Sequence, residues 1–520
     1  MKVEKIIIVD LTNQEILEQE YGISSDSHYG RGLALQLLKE HATPDSKRLD
    51  EGNALVFVPG ILTGNKVPCA TRGILMTKGE GEQGLLVSNF TGDLPQKLAS
   101  LQIAAIVIKG KSKQKNMGIY LDSDTVKFMD LQELNSVNIP NMVEWIRTEL
   151  GQECAVWGVG KAADMLLPTA TYFTTYPEGT PRFSCPRNSF GDVAGSKGIR
   201  AIIVKESHYF NGNGVCKSGM QEKGKKLAQM IVKDQICGGA LPGLGSITLL
   251  HLLKSKKELP KVEKSNTAVV MQRKTTEKIN TCCAPMCVIG CLYRHSAHSG
   301  EVYGSPAESE VRAALMHRFG EMPVEFAKEL NERGFAIGLD AVEFVNTAAI
   351  YLQAMHIVPT EKELWKLFDE IEKGTLLGRV LGGGTKAISA LYKEKEELQG
   401  MVTKPAVVKE NQVHVRLEHF SEDMQGTNDL ELLYQQVFIL ENLGICIFSA
   451  FAILNNREAL ELLAEIVSDK VGEQISLKHL LQDAKHCIEE EQSFLHVNAC
   501  QSVQKSIPEF IKVLYSYFEM

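Results

Sequence analysis

The sequence predicts an α+β protein, sheet-rich in its N-terminal part and mainly α-helical afterwards. Two observations carry this. Short β-branched runs bounded by Gly, Pro, Asn and Asp fill residues 1–205, and helical periodicity dominates the rest. A third observation marks the centre of interest: Cys282, Cys283, Cys287 and Cys291, four of the twelve cysteines, crowd into ten residues. With 520 residues, 44% hydrophobic and 23% charged, the chain can bury more than one core. The expected divisions are 1–205, 206–395 and 396–520.

In chain order, strands are expected at Ile6–Val9, Ala54–Val58, Gly73–Met76, Gly84–Val87, Ala104–Ile108, Ala155–Gly158 and Ala201–Val204, where apolar β-branched residues recur between turn signals. Leu33/Leu37 and Leu35/Leu38 place a helix over Gly30–Lys39, and a second is read near Asn141–Leu150. Residues 206–265 open on Asn211–Gly214, turn helical and carry the polar run Lys254–Lys261. Ala307–Arg318, Val324–Arg333 and Ala341–Met355 read as helices. Thr360-Glu-Lys-Glu363 is a capping box, whose helix buries Leu364, Leu367, Phe368 and Ile371. The bend Leu381–Thr385 leads into another helix, followed by a polar, weakly patterned stretch over 395–425. Leu430–Asn442, Glu458–Val467 and Ile507–Phe518 read as helices. No internal repeat is read.

The net charge of −8 argues against a nucleic-acid binder, which needs a basic surface to neutralise phosphates. No run of eighteen apolar residues predicts a membrane span, and the apolar start Ile6–Val9 is too short for a signal-peptide core. A cytoplasmic protein is expected. Dense cysteines in such a protein read as metal ligands before disulfides. The spacing is Cys-x3-Cys-x3-Cys from Cys283, or Cys-x4-Cys-x3-Cys from Cys282. A 4Fe–4S cube needs four thiolates, and Cys446 in Glu441-Asn-Leu-Gly-Ile-Cys446 is the candidate for the remote one. A zinc site stays open as an alternative, although the paired Cys-x2-Cys knuckles common in zinc sites are missing. The remaining cysteines read as buried free thiols.

Three polar turns in the sheet region could offer N–H groups and guanidinium forks to phosphates: Ala70-Thr-Arg-Gly73, Ser88-Asn-Phe-Thr-Gly92, and Ser184–Gly191 leading into Gly195-Ser-Lys197. Gly338-Leu-Asp340 and Gly444-Ile-Cys446 share one form beside helices and suggest two equivalent turns facing one site.

Taken together, Val9-Asp-Leu-Thr12, Gly30-Arg-Gly-Leu-Ala34, Gly60-Ile-Leu-Thr-Gly64 with Pro68 and Arg72, Asn89-Phe-Thr-Gly92 and Gly195-Ser-Lys197 resemble the tungsten-containing aldehyde:ferredoxin oxidoreductase family in order and spacing. The resemblance implies an N-terminal pterin-binding domain and a tungsten (or molybdenum) bis-pyranopterin beside a 4Fe–4S cluster. The cluster ligands would be Cys283, Cys287, Cys291 and Cys446. Arg72, Asn89, Thr91, Gly92 and Arg187 would contact the pterins, with Asn89 also helping to hold Mg²⁺. The two later turns would each grip one pterin through Gly338, Leu339 and Asp340 and through Glu441, Gly444 and Ile445. Ferredoxin or another iron–sulfur carrier would accept the electrons, an aldehyde or related carbonyl would be the substrate, and the protein would be a homo- or hetero-oligomer.

The sequence also departs from that family. Its first cluster interval carries one extra residue. Phe335 stands where the first pterin turn normally leads with Asp, and Glu441 leads the second. The acidic segment after the cluster is Ser305-Pro-Ala-Glu308-Ser-Glu310, which makes Glu308 and Glu310 the candidates for proton handling. The long pocket-lining segment usual before the last cluster cysteine is shortened around His414–His419. Two readings remain: an oxidoreductase, or a non-catalytic electron-transfer subunit that keeps the cluster.

Overall fold

The computed structural model describes residues 2–80, 83–135, 137–183, 190–210, 218–245, 248, 282–292, 295–296, 302–303, 306–320, 322–395, 398, 401, 407–408, 429–497 and 507–508. Two six-stranded mixed sheets make up the N-terminal part. The first holds β1 (Lys2–Asp10), β2 (Glu15–Ile23), β3 (Leu55–Pro59), β4 (Gly73–Glu80), β5 (Gln83–Phe90) and β6 (Ile103–Lys109). The second holds β7 (Met117–Leu121), β8 (Val126–Asp130), β9 (Cys154–Val159), β10 (Tyr172–Thr175), β11 (Pro181–Phe183) and β12 (Ile199–Lys205).

The expectation of a chain without an internal repeat is overturned. The first sheet runs β2-β1-β6-β3-β4-β5, and the second, read from its other edge, runs β8-β7-β12-β9-β10-β11. In each sheet the sixth strand lies parallel to the first and antiparallel to the third. The helices repeat as well. Helix α1 (Gly30–His41) and helix α2 (Asp93–Ser100) have counterparts in α3 (Ile139–Leu150) and α4 (Gly191–Lys197). One sequence signal does register: Pro68-Cys-Ala-Thr71 and Pro168-Thr-Ala-Thr171 stand one hundred residues apart. Elsewhere the two units share only β-branched character, which many sequences satisfy.

The sheets share a core. Phe57 meets Phe90 and Trp157 edge-on at 5.9 and 4.9 Å between centroids, and Trp157 continues to Tyr172 and Phe190. Each such pair adds roughly 0.5–1.5 kcal/mol beyond area burial. The outer face of the first sheet is covered by α1, through Leu33, Ala34, Leu37 and Leu38.

Past residue 205 the described structure is mainly helical: α5 (Ser218–Lys233), α6 (Pro306–Phe319), α7 (Val324–Ile337), α8 (Ala341–Ala354), α9 (Glu361–Lys373), α10 (Gly384–Leu391), α11 (Asp429–Leu443), α12 (Arg457–Val471) and α13 (Leu477–Val497). Half of the capping box forms, while the Glu363 carboxylate accepts from Lys366 Nζ at 2.6 Å. Thr360 Oγ1 accepts from Glu363 N at 3.2 Å, and α9 buries Leu364, Leu367, Phe368 and Ile371. Helix α13 escaped the sequence reading although Ser476 caps it, its Oγ accepting from His479 N at 3.2 Å. At the C-terminal end, Ile507–Pro508 pairs as a strand with Val407–Val408 where a helix was expected; residues 509–518 of that expected helix lie outside the described residues. So do 211–214, 254–261, Arg187 and the shortened stretch at 414–419. Among the described residues no helix is long and apolar enough to cross a membrane.

Candidate functional site

Helices α7 and α11 end alike. Gly338 and Gly444 take left-handed backbones, φ +74° and +75°, which a side chain adopts only at a cost. After each glycine the chain bridges to the matching loop of one sheet unit, Leu339 with Ala170 and Ile445 with Ala70. Thr171 N donates to Gly338 O and Thr71 N to Gly444 O, both at 2.9 Å. Asp340 N donates to Thr169 O at 3.0 Å, and Cys446 N to Cys69 O at 2.8 Å. Gly160 and Gly60 lie so close to these turns that a Cβ on either would strike backbone of residues 337–338 or 443–444. Two equivalent turns are therefore held by two equivalent sheet units.

Only the second turn carries sulfur. Cys69, buried and at φ +59°, donates its N–H to Met286 O while its carbonyl takes the N–H of Cys446. One residue thereby fastens the cysteine loop and the helix-end turn together. The loop's thiols come close to Cys446: charge coupling links Cys291 to Cys283, Cys446 and Cys287, and burial pushes the Cys291 thiol far up. Arg72 is half-buried among them, donating from Nη2 to Cys446 Sγ at 3.1 Å. Burial opposes its charge, but Cys446 and then Cys283 hold the guanidinium protonated above the ordinary arginine range. Further donors reach the sulfurs. Thr91 Oγ1 lies 3.5 Å from Cys283 Sγ, and Gly290 N donates to Cys287 Sγ at 3.4 Å. Cys283 is 5% exposed, whereas half-buried Cys282 turns its thiol to the Cys287 carbonyl at 3.5 Å.

These residues fit a polynuclear cluster. Three buried thiols and the half-buried Cys287 converge, three of the sulfurs accept hydrogen bonds, and the Arg72 cation stands ready to balance negative charge. Arg72 Nε is buried without a partner among the described residues, a donor left for a bound group. Among the described residues these thiols do not form a set of three within 4.8 Å of one another, the closeness a single ion asks of its ligands.

The pterin positions fit less evenly. Arg72 fits, and so does the buried Thr171 hydroxyl, which has no partner among the described residues. Phe335 does not supply an acceptor; it packs on Phe183 at 4.6 Å. The Glu441 carboxylate is taken by Arg31 Nη1 at 2.7 Å and Asn89 Nδ2 at 2.8 Å. Asn89, expected at Mg²⁺, thus commits its amide nitrogen to Glu441. Asp340 caps α8, accepting from Val342 N and Glu343 N at 2.9 and 3.1 Å. The single Thr91 hydroxyl proton has both Cys283 Sγ and Thr71 O, the latter at 3.2 Å, as acceptors within reach, and Gly92 sits at φ +91° against Thr175 O. Glu308 and Glu310 both fall in the first turns of α6, where Glu310 is half-buried.

The Gly195–Lys197 turn is not a phosphate loop. It ends α4, and Lys197 is buried, its ammonium donating to the carbonyls of Asn53 and Gly110. Burial lowers its pKa to about 8. Sequence reading missed Cys69, counted as a scattered thiol, although Pro68-Cys69 directly precedes the Ala70–Arg72 turn. It also missed Tyr176, buried beside Cys283 and Arg72, and Arg31, whose guanidinium joins Glu441 to Glu491.

A duplicated sheet unit, paired helix-end turns and thiols gathered around Arg72 are the features to set beside known proteins. Residues 6–206 match the model of the aldehyde ferredoxin oxidoreductase N-terminal domain. Over that part the chain is similar to the aldehyde ferredoxin oxidoreductase family. It is 27% identical over 261 residues to a tungsten-containing aldehyde ferredoxin oxidoreductase of Thermococcus kodakarensis, covering 49% of this chain and 42% of that one. It is 23% identical over 364 residues to the protein of that name from Pyrococcus horikoshii, covering 67% and 58%. The chain thus spans about half the length of the curated relatives it matches. The fold is similar to that of a chain of the active-site complex BamBC of benzoyl coenzyme A reductase, solved with 1,5-dienoyl-CoA. The TM-score is 0.72 at 16% identity, covering 100% of this chain and 94% of that one.

Proposed function

We propose that this chain is a ferredoxin-linked oxidoreductase whose Cys283, Cys287, Cys291 and Cys446 hold one 4Fe–4S cluster beside a tungsten (or molybdenum) bis-pyranopterin, acting on an aldehyde or related carbonyl. The observation that carries it is Arg72, half-buried between the cysteine loop and the second helix-end turn, with Nη2 on Cys446 and a buried Nε that has no partner among the described residues. When bound, the metal–pterin supplies two-electron redox chemistry that no side chain can. Converting an aldehyde and water to an acid releases two electrons and two protons. The cluster would relay the electrons singly to an external carrier. Glu308 or Glu310 would take up a proton.

The chain's own residues set the conditions for that chemistry. Arg72 offsets negative charge at the cluster, Thr91 and the Gly290 amide stabilise thiolates, and burial of Cys283, Cys291 and Cys446 keeps water from the sulfurs. Cys283 rather than Cys282 faces Arg72, which favours it as the ligand. Pterin contact would rest on Arg72, Thr91, Gly92 and the main chain of the two turns, because Phe335 and Glu441 are otherwise engaged. Metal analysis of anaerobically purified protein tests the proposal. About four irons with tungsten or molybdenum per chain support it. Iron alone removes the pterin from it, leaving an electron-transfer subunit, and zinc alone overturns it.

A further inference from the structure

Away from the cysteine loop, a second donor set lies where the loop after β2 meets α13. His28 approaches from that loop, while Asp483 and Cys487, one helical turn apart, share a face of α13. His28 Nδ1 is 3.6 Å from Asp483 Oδ1 and 3.8 Å from Cys487 Sγ, and Cys487 Sγ is 3.9 Å from Asp483 Oδ1. Among the described residues this is the set of His, Cys and acidic groups whose ligand atoms gather within 4.8 Å of one another.

The His28–Asp483 edge, at 3.6 Å, is an ion-pair contact longer than the about 2.7–3.2 Å of a hydrogen bond, and the two edges to Cys487 Sγ are as long as thiol hydrogen bonds become. The triangle also has the size of one face of a coordination shell. The circle through its three atoms has a radius of about 2.2 Å, within the range of zinc bonds to nitrogen, oxygen and sulfur.

We propose that His28, Asp483 and Cys487 bind one divalent cation, Zn²⁺ by its borderline-soft donor set, with water completing the shell. The ion clips the loop that opens α1 to α13. That junction also holds the second helix-end turn: Asn442 Oδ1 accepts from Gly32 N at 3.1 Å, and Arg31 ties Glu491 of α13 to Glu441. His486 stacks on His28 at 6.3 Å between ring centroids, the charges of Glu490 and Lys39 reach the histidine, and Asn442 Nδ2 donates to Asp483 Oδ2 at 3.4 Å. The clip is independent of what the cysteine loop carries.

The test uses the full chain purified anaerobically, with zinc as the probe. Wild type is expected to bind about one zinc per chain in addition to its iron. X-ray absorption at the zinc edge should show one sulfur among nitrogen and oxygen neighbours. Cys487→Ser and Asp483→Asn should each lose that zinc, whereas Cys283→Ser should keep it. Four sulfur neighbours, no zinc uptake, or zinc unaffected by both α13 variants would overturn the site. The absorption measurement needs only wild type, so a poorly folding variant does not blunt the test.

Discussion

Arg72 Nη2 donates to Cys446 Sγ at 3.1 Å, joining the loop before β4 to the turn after α11 across 374 residues of sequence. The guanidinium is half-buried, its Nε shut off from solvent, so removing it leaves the sulfur and its neighbours without a counter-charge. Arg72→Met is expected to destabilise the chain by about 3–5 kcal/mol, the usual cost of breaking a buried charge pair. Arg72→Lys should lose less, keeping charge without the fork. Denaturant unfolding, read beside iron per chain, checks both.

Cys282 and Cys446 should behave oppositely. Cys446→Ser is expected to leave about three irons per chain or fewer, and Cys282→Ser about four. Equal loss in both variants would reassign the ligand set.

The paired turns make a prediction that needs no cofactor. Gly60→Ala and Gly160→Ala each push a Cβ into the backbone of the opposing turn, which cannot rotate away. Each should cost about 3 kcal/mol or more, measured by urea unfolding. Gly472, also at positive φ but with open space around its Cβ, is the control, and its alanine variant should cost only about 1–2 kcal/mol.

Arg31 serves two buried carboxylates, Glu441 at 2.7 Å and Glu491 at 2.6 Å, and lies over the Phe438 ring. Arg31→Met should destabilise by about 3–5 kcal/mol at neutral pH. Adding Glu441→Gln and Glu491→Gln should restore part of that loss, as a triple-variant unfolding series would show.

Asp93 and Asp192 open the equivalent helices α2 and α4, and burial raises both carboxyls to about 6. A raised carboxyl binds its proton more tightly in the folded state. Its stabilisation is present below the unfolded value near 4 and is lost as pH rises through about 6. Relative to Asp93→Asn, wild type should therefore lose up to about 3 kcal/mol between pH 4 and 6.5. A flat difference over that range would show that Asp93 titrates normally.

Much of the fold was legible because it is local. Strand runs between turn residues, the Thr360 cap and the four-residue burial spacing of α9 depend on neighbours within a turn or two. The cysteine loop and the Gly338 and Gly444 turns were legible for the same reason, since left-handed glycines and clustered thiols announce themselves in short windows. The repeat was harder to see. A sheet unit tolerates almost any β-branched sequence, so only Pro68–Thr71 and Pro168–Thr171, at the pinched contact with the turns, kept a trace.

What the sequence determined by itself was the α+β order of elements, the thiol inventory and the two glycine turns, because backbone preference and side-chain chemistry are properties of short segments. Only the tertiary structure decided how they are used. It placed Cys69 as a main-chain clamp, aimed Arg72 at Cys446, engaged Glu441 with Arg31 and Asn89, and brought His28 to Asp483 and Cys487. Each of these joins segments far apart in sequence, and burial decides which of several possible partners a charged or sulfur-bearing side chain meets.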